Sequence, residues 1–182
     1  MKKYLVIVCL GALLSTNGSA QSSWKFTSAE YVGMLWGEAG NYGQVQTING
    51  ASNRAWFLGL GTGLDFYRYR SIPLFLSLTR QLMPSKNGLF LNLDGGVNFP
   101  WYHRPDGGYY TPGFSTSEFK MGPYWGAGLG YKIKIPGRNK DYALSLLGGY
   151  SYKELKENAK TDPVTRFDYR NRRWSLKVGI IL

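Results

Sequence analysis

The residues best suited to do chemistry lie in residues 100–118, PWYHRPDGGYYTPGFSTSE. This stretch contains His103, the only histidine of the chain, and a nucleophilic triad needs a base of that kind. It also supplies carboxylates and hydroxyls, at Asp106, Ser115, Ser117 and Glu118. Its prolines and glycines, however, predict an irregular exposed segment, where Ser and Asp collect because they form turns. We therefore expect no catalytic residue, and a surface lipid hydrolase or acyltransferase stays the alternative.

Cofactor and metal chemistry has little material in this sequence. The single cysteine, Cys9, lies in an apolar N-terminal run, so the exported chain would have no disulfide and no thiolate metal site. Glycine runs that begin at Gly59 and Gly126 have a spacing of two inside predicted strands, whereas phosphate-binding loops need a strand-to-helix turn. We expect no cofactor and no metal. A loop calcium site through Asp106 or Asp162 is left open.

Residues 1–20 have the features of a signal peptide. Lys2 and Lys3 precede an apolar run, and small residues end the segment before Gln21. The run is shorter than the ~20 apolar residues of a membrane-spanning helix. We expect one exported domain, residues 21–182. The chain carries 22 Lys and Arg against 11 Asp and Glu, and for an exported protein this balance favours the phosphate-rich outer leaflet of a Gram-negative membrane over nucleic acid.

The elements that must position these residues are strands, most clearly in residues 56–82. Alternate residues are apolar in each half of this stretch, which is the period of a strand. The opposite face carries Gly, Ser, Thr and an occasional Asp, whereas a soluble sandwich would place Lys and Glu there. Small uncharged side chains suit a narrow interior, so we predict that the apolar face points into lipid and the small face lines a lumen.

The remaining chain continues this pattern and predicts an all-β, eight-stranded antiparallel up-and-down transmembrane barrel. Residues 153–168 are predicted to be a long charged loop, and residues 49–54 a turn. With an even number of strands, both termini and the short turns lie on the periplasmic side and the long loops outside. Eight strands leave room inside only for side chains, so we expect a plugged lumen.

Several segments carry a family resemblance: FLGLGTGLDFYRYRSIPLFLSL, LFLNLDGGVNFPW, WGAGLGYKI, GGYSYK and the closing RRWSLKVGIIL. In these the chain resembles small outer-membrane β-barrel proteins related in architecture to the OmpA and OmpX eight-stranded barrels. The resemblance covers essentially all of residues 21–182. It implies fold and location and leaves activity open, because that barrel hosts adhesins, anchors and lipid-modifying enzymes alike.

Two sets of charged residues are the candidate sites. Arginines near the outer rim are predicted to bind lipopolysaccharide phosphates, or else to pair with acids of their own loops: Arg68, Arg70, Arg104, Arg166, Arg170, Arg172 and Arg173. Of these, we select Arg68, Arg70, Arg170 and Arg172 as the binding set. Inside the barrel, the predicted charge network is Glu30, Asp65, Asp94 and Lys177, with Lys132 and Lys134 on the same face. Glu30 is expected to point inward and pair with Lys177.

These features predict a non-enzymatic outer-membrane protein with a structural or surface-interaction role. Its expected partners are outer-membrane lipid, lipopolysaccharide and the barrel-assembly machinery, with no nucleic acid, and the chain is expected to be a monomer. A secreted soluble barrel that binds an apolar ligand, like a lipocalin, is the alternative of another class. Such a protein would bury the Leu, Ile and Trp face and expose charges.

Overall fold

The computed structural model describes residues 24–83, 87–101, 117–136, 142–159 and 165–182. Its strands are β1 (Lys25–Gly37), β2 (Gly40–Ser52), β3 (Trp56–Asp65), β4 (Ser71–Gln81), β5 (Gly88–Pro100), β6 (Ser117–Lys120), β7 (Gly122–Ile135), β8 (Tyr142–Ala159) and β9 (Thr165–Ile181). Over these ranges, no helix has the length and apolar character to cross a membrane. The predicted signal segment, residues 1–20, lies outside the described residues.

The strands form one closed antiparallel barrel. β1 pairs with β2 on one side and with β9 on the other, and β9 also pairs with β8. Ser28 and Leu182 exchange backbone hydrogen bonds of 3.1 and 2.8 Å where the two ends of the sheet meet. Short β6 pairs with the far end of β8 and forms one wall with β7, which continues after Met121. The predicted eight-stranded antiparallel barrel is therefore confirmed.

The register tilts the strands. When the paired residues are followed from Ala29 on β1 around the barrel through each neighbouring strand in turn, the path arrives on β9 at Asn171. Ala29 also pairs with β9 directly, but at Ile181, ten residues further along the strand. Such a stagger accompanies a strand tilt of about 35–45° in closed barrels. We call the end that holds Lys25 and Leu182 the terminal end and the opposite end the distal end.

The two faces of the wall have the predicted polarity. Large apolar side chains that point outward are exposed, and those that are half exposed or more include Leu58, Leu60, Leu76, Leu93, Leu129, Leu146 and Val178. Inward positions carry small or polar side chains together with Phe75 and Phe90, which are almost fully buried. The apolar face is therefore the outer surface of the barrel, as the alternation in residues 56–82 predicts.

The first strand has the opposite parity to the one predicted. Ala29, Tyr31 and Leu35 point inward and are buried, whereas Glu30 is exposed on the outer face. The Tyr31 ring lies against the inward face of Gly179, and its hydroxyl is 3.2 Å from the Ser145 hydroxyl. Because the Tyr31 ring fills the interior, the neighbouring Glu30 must point outward. The inward orientation predicted for Glu30 is therefore wrong.

Two predicted connections are shorter than expected. β8 and β9 remain paired as far as Ala159 and Thr165, so residues 153–168 are mostly strand instead of the predicted loop. Lys153 and Leu155 hold this extension together because both point inward and are fully buried. β2 likewise runs to Ser52, and the Asn53 side chain then caps a tight turn by accepting the Trp56 N–H at 2.7 Å.

Candidate functional site

A group of three charged side chains fills the distal part of the interior, and we call Asp65, Lys153 and Arg173 the distal charge cluster. Asp65 ends β3, Lys153 comes from β8 and Arg173 from β9, so the cluster ties together distant walls of the barrel. The Asp65 carboxylate accepts a hydrogen bond from Lys153 Nζ at 3.0 Å and another from the Arg173 guanidinium. All three side chains are at most 3% exposed.

The groups around this cluster satisfy most of its hydrogen-bonding capacity. The Lys153 ammonium also donates to the Tyr69 carbonyl oxygen at 3.0 Å and to Ser71 Oγ at 2.9 Å, so each of its three protons has an acceptor. The Tyr67 N–H donates to Asp65 Oδ1 at 2.9 Å. The guanidinium of Arg173 lies over the Tyr67 ring, 5.3 Å from its centre. The cluster therefore has the contacts of a rigid structural network.

A second network crosses the middle of the barrel. Lys177 Nζ on β9 donates to Gln46 Oε1 on β2 at 2.8 Å and lies 3.8 Å from Asp94 Oδ2 on β5. Gln46 in turn donates to the Tyr124 hydroxyl at 3.2 Å, and Asn92 Nδ2 donates to Asp94 Oδ1 at 3.2 Å. One buried ammonium thus connects three walls and is balanced by one carboxylate.

Below this network, apolar side chains pack across the interior toward the terminal end. The buried residues of this core are Ala29, Tyr31, Ile48, Phe75, Phe90, Tyr124 and Leu147, and Phe57 packs against them. Phe75 and Tyr124 lie with ring centres 5.2 Å apart and join the core to the polar network above it. Phe57, Phe75 and Phe90 therefore all lie on the inner face of the wall.

Other buried polar atoms have no protein partner among the described residues. These are Gln44 Nε2, both amide atoms of Asn98, Ser151 Oγ and Arg173 Nε. Buried polar groups of this kind are the ones that take up ordered water in protein interiors. No group of three or more His, Cys, Asp or Glu side chains in the described ranges is arranged to hold a metal ion.

The four predicted lipopolysaccharide ligands lie at the distal end in separate places. Arg170 and Arg172 point outward from β9, beside Glu154 and Tyr152 of β8 in the register. Arg70 lies near the start of β4, 5.8 Å from the centre of the Phe66 ring. β4 and β9 are four strands apart in an eight-stranded barrel, so Arg70 and this pair are on opposite sides.

Arg68 differs from the other three. It adopts a positive φ of 56°, which is uncommon for a residue with a side chain, and its guanidinium lies 4.9 Å from the centre of the Tyr169 ring. Tyr169 and Tyr69 also contact each other, with ring centres 4.9 Å apart. The Arg68 guanidinium is therefore stacked on an aromatic pair, although Arg68 as a whole is exposed to solvent.

Three members of the predicted internal network lie inside the barrel. Asp65, Asp94 and Lys177 are buried inside the barrel, but Lys177 pairs with Asp94 and not with Glu30, which points outward. Lys132 and Lys134 have the inward parity but lie near the terminal end of β7, half-buried and exposed respectively.

Sequence reasoning missed two charged residues of the interior. The sequence predicts Arg173 at the rim and Lys153 in a loop, whereas both are buried in the distal charge cluster. Strand alternation could have identified both. Arg173 lies two and four residues from the inward Ser175 and Lys177, and Lys153 lies two residues from the inward Ser151.

The candidate triad residues are not placed by the structure. His103, Asp106, Ser115 and the rim residue Arg104 lie outside the described residues, as do the possible calcium ligands Asp106 and Asp162. The backbones of Ser117 and Glu118 belong to β6.

The fold of this chain is similar to that of a solved outer-membrane protein over almost its whole length. The match is the crystal structure of the outer membrane protein OprG from Pseudomonas aeruginosa, with a TM-score of 0.59 and 12% sequence identity, and the alignment covers 90% of this chain and 96% of that chain. No protein-family model matches the sequence, and no curated protein does. At this identity the similarity establishes the fold: a closed, all-β, eight-stranded barrel of the kind found in outer-membrane proteins.

Proposed function

We propose that this chain is an integral protein of a Gram-negative outer membrane, with a structural or surface-interaction role and with both termini on the periplasmic side. The observation that carries the proposal is the apolar outer surface of a closed barrel. Closure leaves no edge strand, so every backbone N–H and C=O group of the wall has a hydrogen-bond partner without water. A soluble lipocalin-like barrel would need the opposite polarity of its two faces. The fold shared with OprG supports the same location.

Outward aromatic residues near the distal end give further support. Trp125 of β7 stacks on Tyr152 of β8, with ring centres 5.8 Å apart, and Tyr150 contacts Trp174 of β9 at 5.3 Å. At the opposite end, the Arg80 guanidinium lies over the Trp56 ring, 4.9 Å from its centre. Aromatic girdles at both edges of an apolar band are typical of transmembrane barrels.

Cell fractionation tests the location. We expect the protein in the outer-membrane fraction, inserted there by the barrel-assembly machinery that reads an apolar-alternating last strand such as β9. On a gel it should migrate faster unboiled than boiled, because a closed barrel resists unfolding by detergent. Recovery as a soluble periplasmic protein without this shift would overturn the proposal.

We further propose that the interior is plugged, so that the protein is not a general pore. Support comes from the stacked charge networks and from the aromatic core between them and the terminal end. Planar-bilayer recordings of the purified protein should give no steady porin-like conductance. A stable open channel would move the function toward transport.

The rim arginines are proposed to bind lipopolysaccharide phosphates, at two separate surfaces. Because Arg70 lies on the opposite side from Arg170 and Arg172, each surface is tested alone. We expect Arg70→Gln and the double variant Arg170→Gln with Arg172→Gln each to lower the lipopolysaccharide retained by purified protein, and their combination to lower it further. Lys25→Gln at the terminal end is the control, and unchanged retention in the combined variant would contradict the proposal.

The proposed role is non-enzymatic. In the described interior, Asp65 and Asp94 are both engaged in ion pairs with buried cations, which leaves neither carboxylate free to act as a base. His103→Ala should leave the cellular phenotype of the protein unchanged. A lipid A acylation pattern that changes on gene deletion, and that returns with the wild type but not with His103→Ala, would instead establish an outer-membrane lipid-modifying enzyme.

A further inference from the structure

A polar cluster interrupts the apolar outer face where β1 meets β2. Glu30 Oε1 lies 2.8 Å from Ser28 Oγ and 2.9 Å from Thr47 Oγ1. Asn49 joins the same group, with its Oδ1 2.8 Å from Ser28 Oγ and its Nδ2 3.2 Å from Thr47 Oγ1. We call these four residues the outward polar cluster.

The cluster lies near the middle of the apolar band and not at its edge. Glu30 is the sixth of the 13 residues of β1 and Thr47 the eighth of the 13 of β2. With a rise of about 3.3 Å per residue along strands tilted by about 40°, Glu30 is roughly 12 Å from the terminal end of β1, in a band about 25 Å tall. Exposed apolar side chains surround the cluster: Val32, Leu60, Val178 and Ile180.

The hydrogen bonds within the cluster leave one acceptor and one donor unused. Ser28 has one hydroxyl proton, which serves either Glu30 or Asn49, although its oxygen is 2.8 Å from an acceptor of each. Within the described part of the chain, no donor contacts Glu30 Oε2, and no cation pairs with this carboxylate. Asn49 Nδ2 has two protons and one acceptor, Thr47. Each chain therefore has an unused acceptor on Glu30 and an unused donor on Asn49, and lipid satisfies neither.

We propose that the outward polar cluster is the interface for a second copy of this chain, in a parallel two-fold dimer within the bilayer. This proposal rests on the membrane location proposed above, and it replaces the monomer expected from the sequence. Asn49 of each copy donates its unused amide proton to Glu30 of the other. The surface is self-complementary, as an isologous interface requires.

The geometry of the cluster suits this arrangement. A two-fold axis along the membrane normal keeps every residue at the same depth in both copies, and Glu30 and Asn49 lie at similar depths because Ser28 bridges them. If the axis passes between Glu30 and Asn49, then Glu30 of each copy faces Asn49 of the other copy. Thr62, the outward partner of Thr47 on β3, then lies near the axis and next to its own copy.

Disulfide cross-linking in native membranes tests the dimer. The only cysteine of the chain lies in the predicted signal segment, so Thr62→Cys gives one reporter thiol in the mature protein. We expect oxidation to convert most of this variant to a covalent dimer. The matched control is Leu129→Cys, which is also outward and exposed but lies across the barrel on β7, and which should stay monomeric.

Exchange of donor and acceptor tests the proposed contact itself. In the Thr62→Cys background, Asn49→Asp removes the unused donor and places two carboxylates face to face, so the dimer yield should fall at least tenfold. Adding Glu30→Gln supplies a donor opposite the new carboxylate and should restore most of the yield. A packing defect within one chain would not be rescued in this way.

The outcomes separate this proposal from the membrane location. If Thr62→Cys stays monomeric, or cross-links no more than Leu129→Cys, while the protein remains in the outer membrane with its gel shift, the dimer is overturned and the location stands. If the second substitution fails to restore the dimer, the Glu30–Asn49 contact is overturned. Loss of the membrane fraction and of the gel shift in the wild type would overturn the location instead.

Discussion

The residues that most constrain this barrel are the charges buried inside it. Asp65 is the single carboxylate between two cations, Lys153 and Arg173, and all three are removed from solvent. Burying an ion pair costs desolvation that its attraction only partly offsets, but removing one partner leaves an uncompensated charge and is strongly destabilising. Asp65 is therefore the residue on which the distal charge cluster depends.

Asp65→Asn should destabilise the barrel by about 3–5 kcal/mol, because it strands two buried cations. Urea unfolding in lipid vesicles measures this change. Glu154→Gln is the matched control: it makes the same chemical change in a carboxylate that lies 3.5 Å from the part-exposed Lys156, and it should cost about 1 kcal/mol or less. Equal losses in the two variants would contradict the structural role of the distal charge cluster.

The sequence predicts part of this network and not its pairing. Asp65, Asp94 and Lys177 follow from the parity of clear strands, but the partner of Lys177 depends on which residues reach across the interior. Its contacts, Gln46 and Asp94, come from walls that are not its neighbours. The sequence predicts Glu30 inside because a carboxylate that faces lipid is costly, whereas in the structure its outward neighbours Ser28 and Thr47 are hydrogen-bonded to it.

At the scale of the strands, glycines and phenylalanines pack as pairs across neighbouring walls. A side chain on Gly130 of β7 would meet the Phe90 ring of β5, and one on Gly61 of β3 would meet the Phe75 ring of β4. Each ring covers the glycine backbone beside it, as in the aromatic rescue of glycine known from sheets. Glycines at alternate, inward positions thus leave the space that aromatic rings from neighbouring strands occupy inside a narrow barrel.

Gly130→Ala should destabilise the protein by about 1–3 kcal/mol, since the added methyl group forces the Phe90 ring out of its place. The double variant Gly130→Ala with Phe90→Leu should lose less than the sum of the two single variants, because the smaller side chain makes room. Gly95→Ala is the control, because it faces open space on the outer side. Equilibrium unfolding of the four variants gives the coupling energy, and strict additivity would rule out the pairing.

The positions of the strands are predictable from alternation, while their ends are less so. Residues 56–82 identify β3 and β4 because apolar and small residues alternate without a break. Outside the apolar band both faces of a strand become polar, and the alternation no longer marks a strand. This is why the paired ends of β8 and β9, held by buried Leu155, resembled a charged loop.

At the scale of the whole molecule, the polarity of the two faces decides between the two barrel classes considered. A barrel with its large apolar side chains outside and its charges inside needs lipid around every wall. The structure establishes the closed eight-stranded fold. In the proposed membrane location, the apolar outer surface of this barrel contacts the lipid of the bilayer. This membrane location predicts that every wall of the barrel contacts lipid.

Spin-label accessibility measured around the barrel tests this lipid contact wall by wall. A single nitroxide is attached to cysteine at an outward position near mid-height on each of six walls: Leu60→Cys, Leu76→Cys, Leu93→Cys, Leu129→Cys, Leu146→Cys and Val178→Cys. In reconstituted protein, we expect collisions with oxygen to exceed those with a water-soluble nickel complex at all six, and the reverse at Lys25→Cys and Arg70→Cys. Labels on the six walls that the nickel complex reaches as freely as it reaches these two would contradict a lipid-facing barrel.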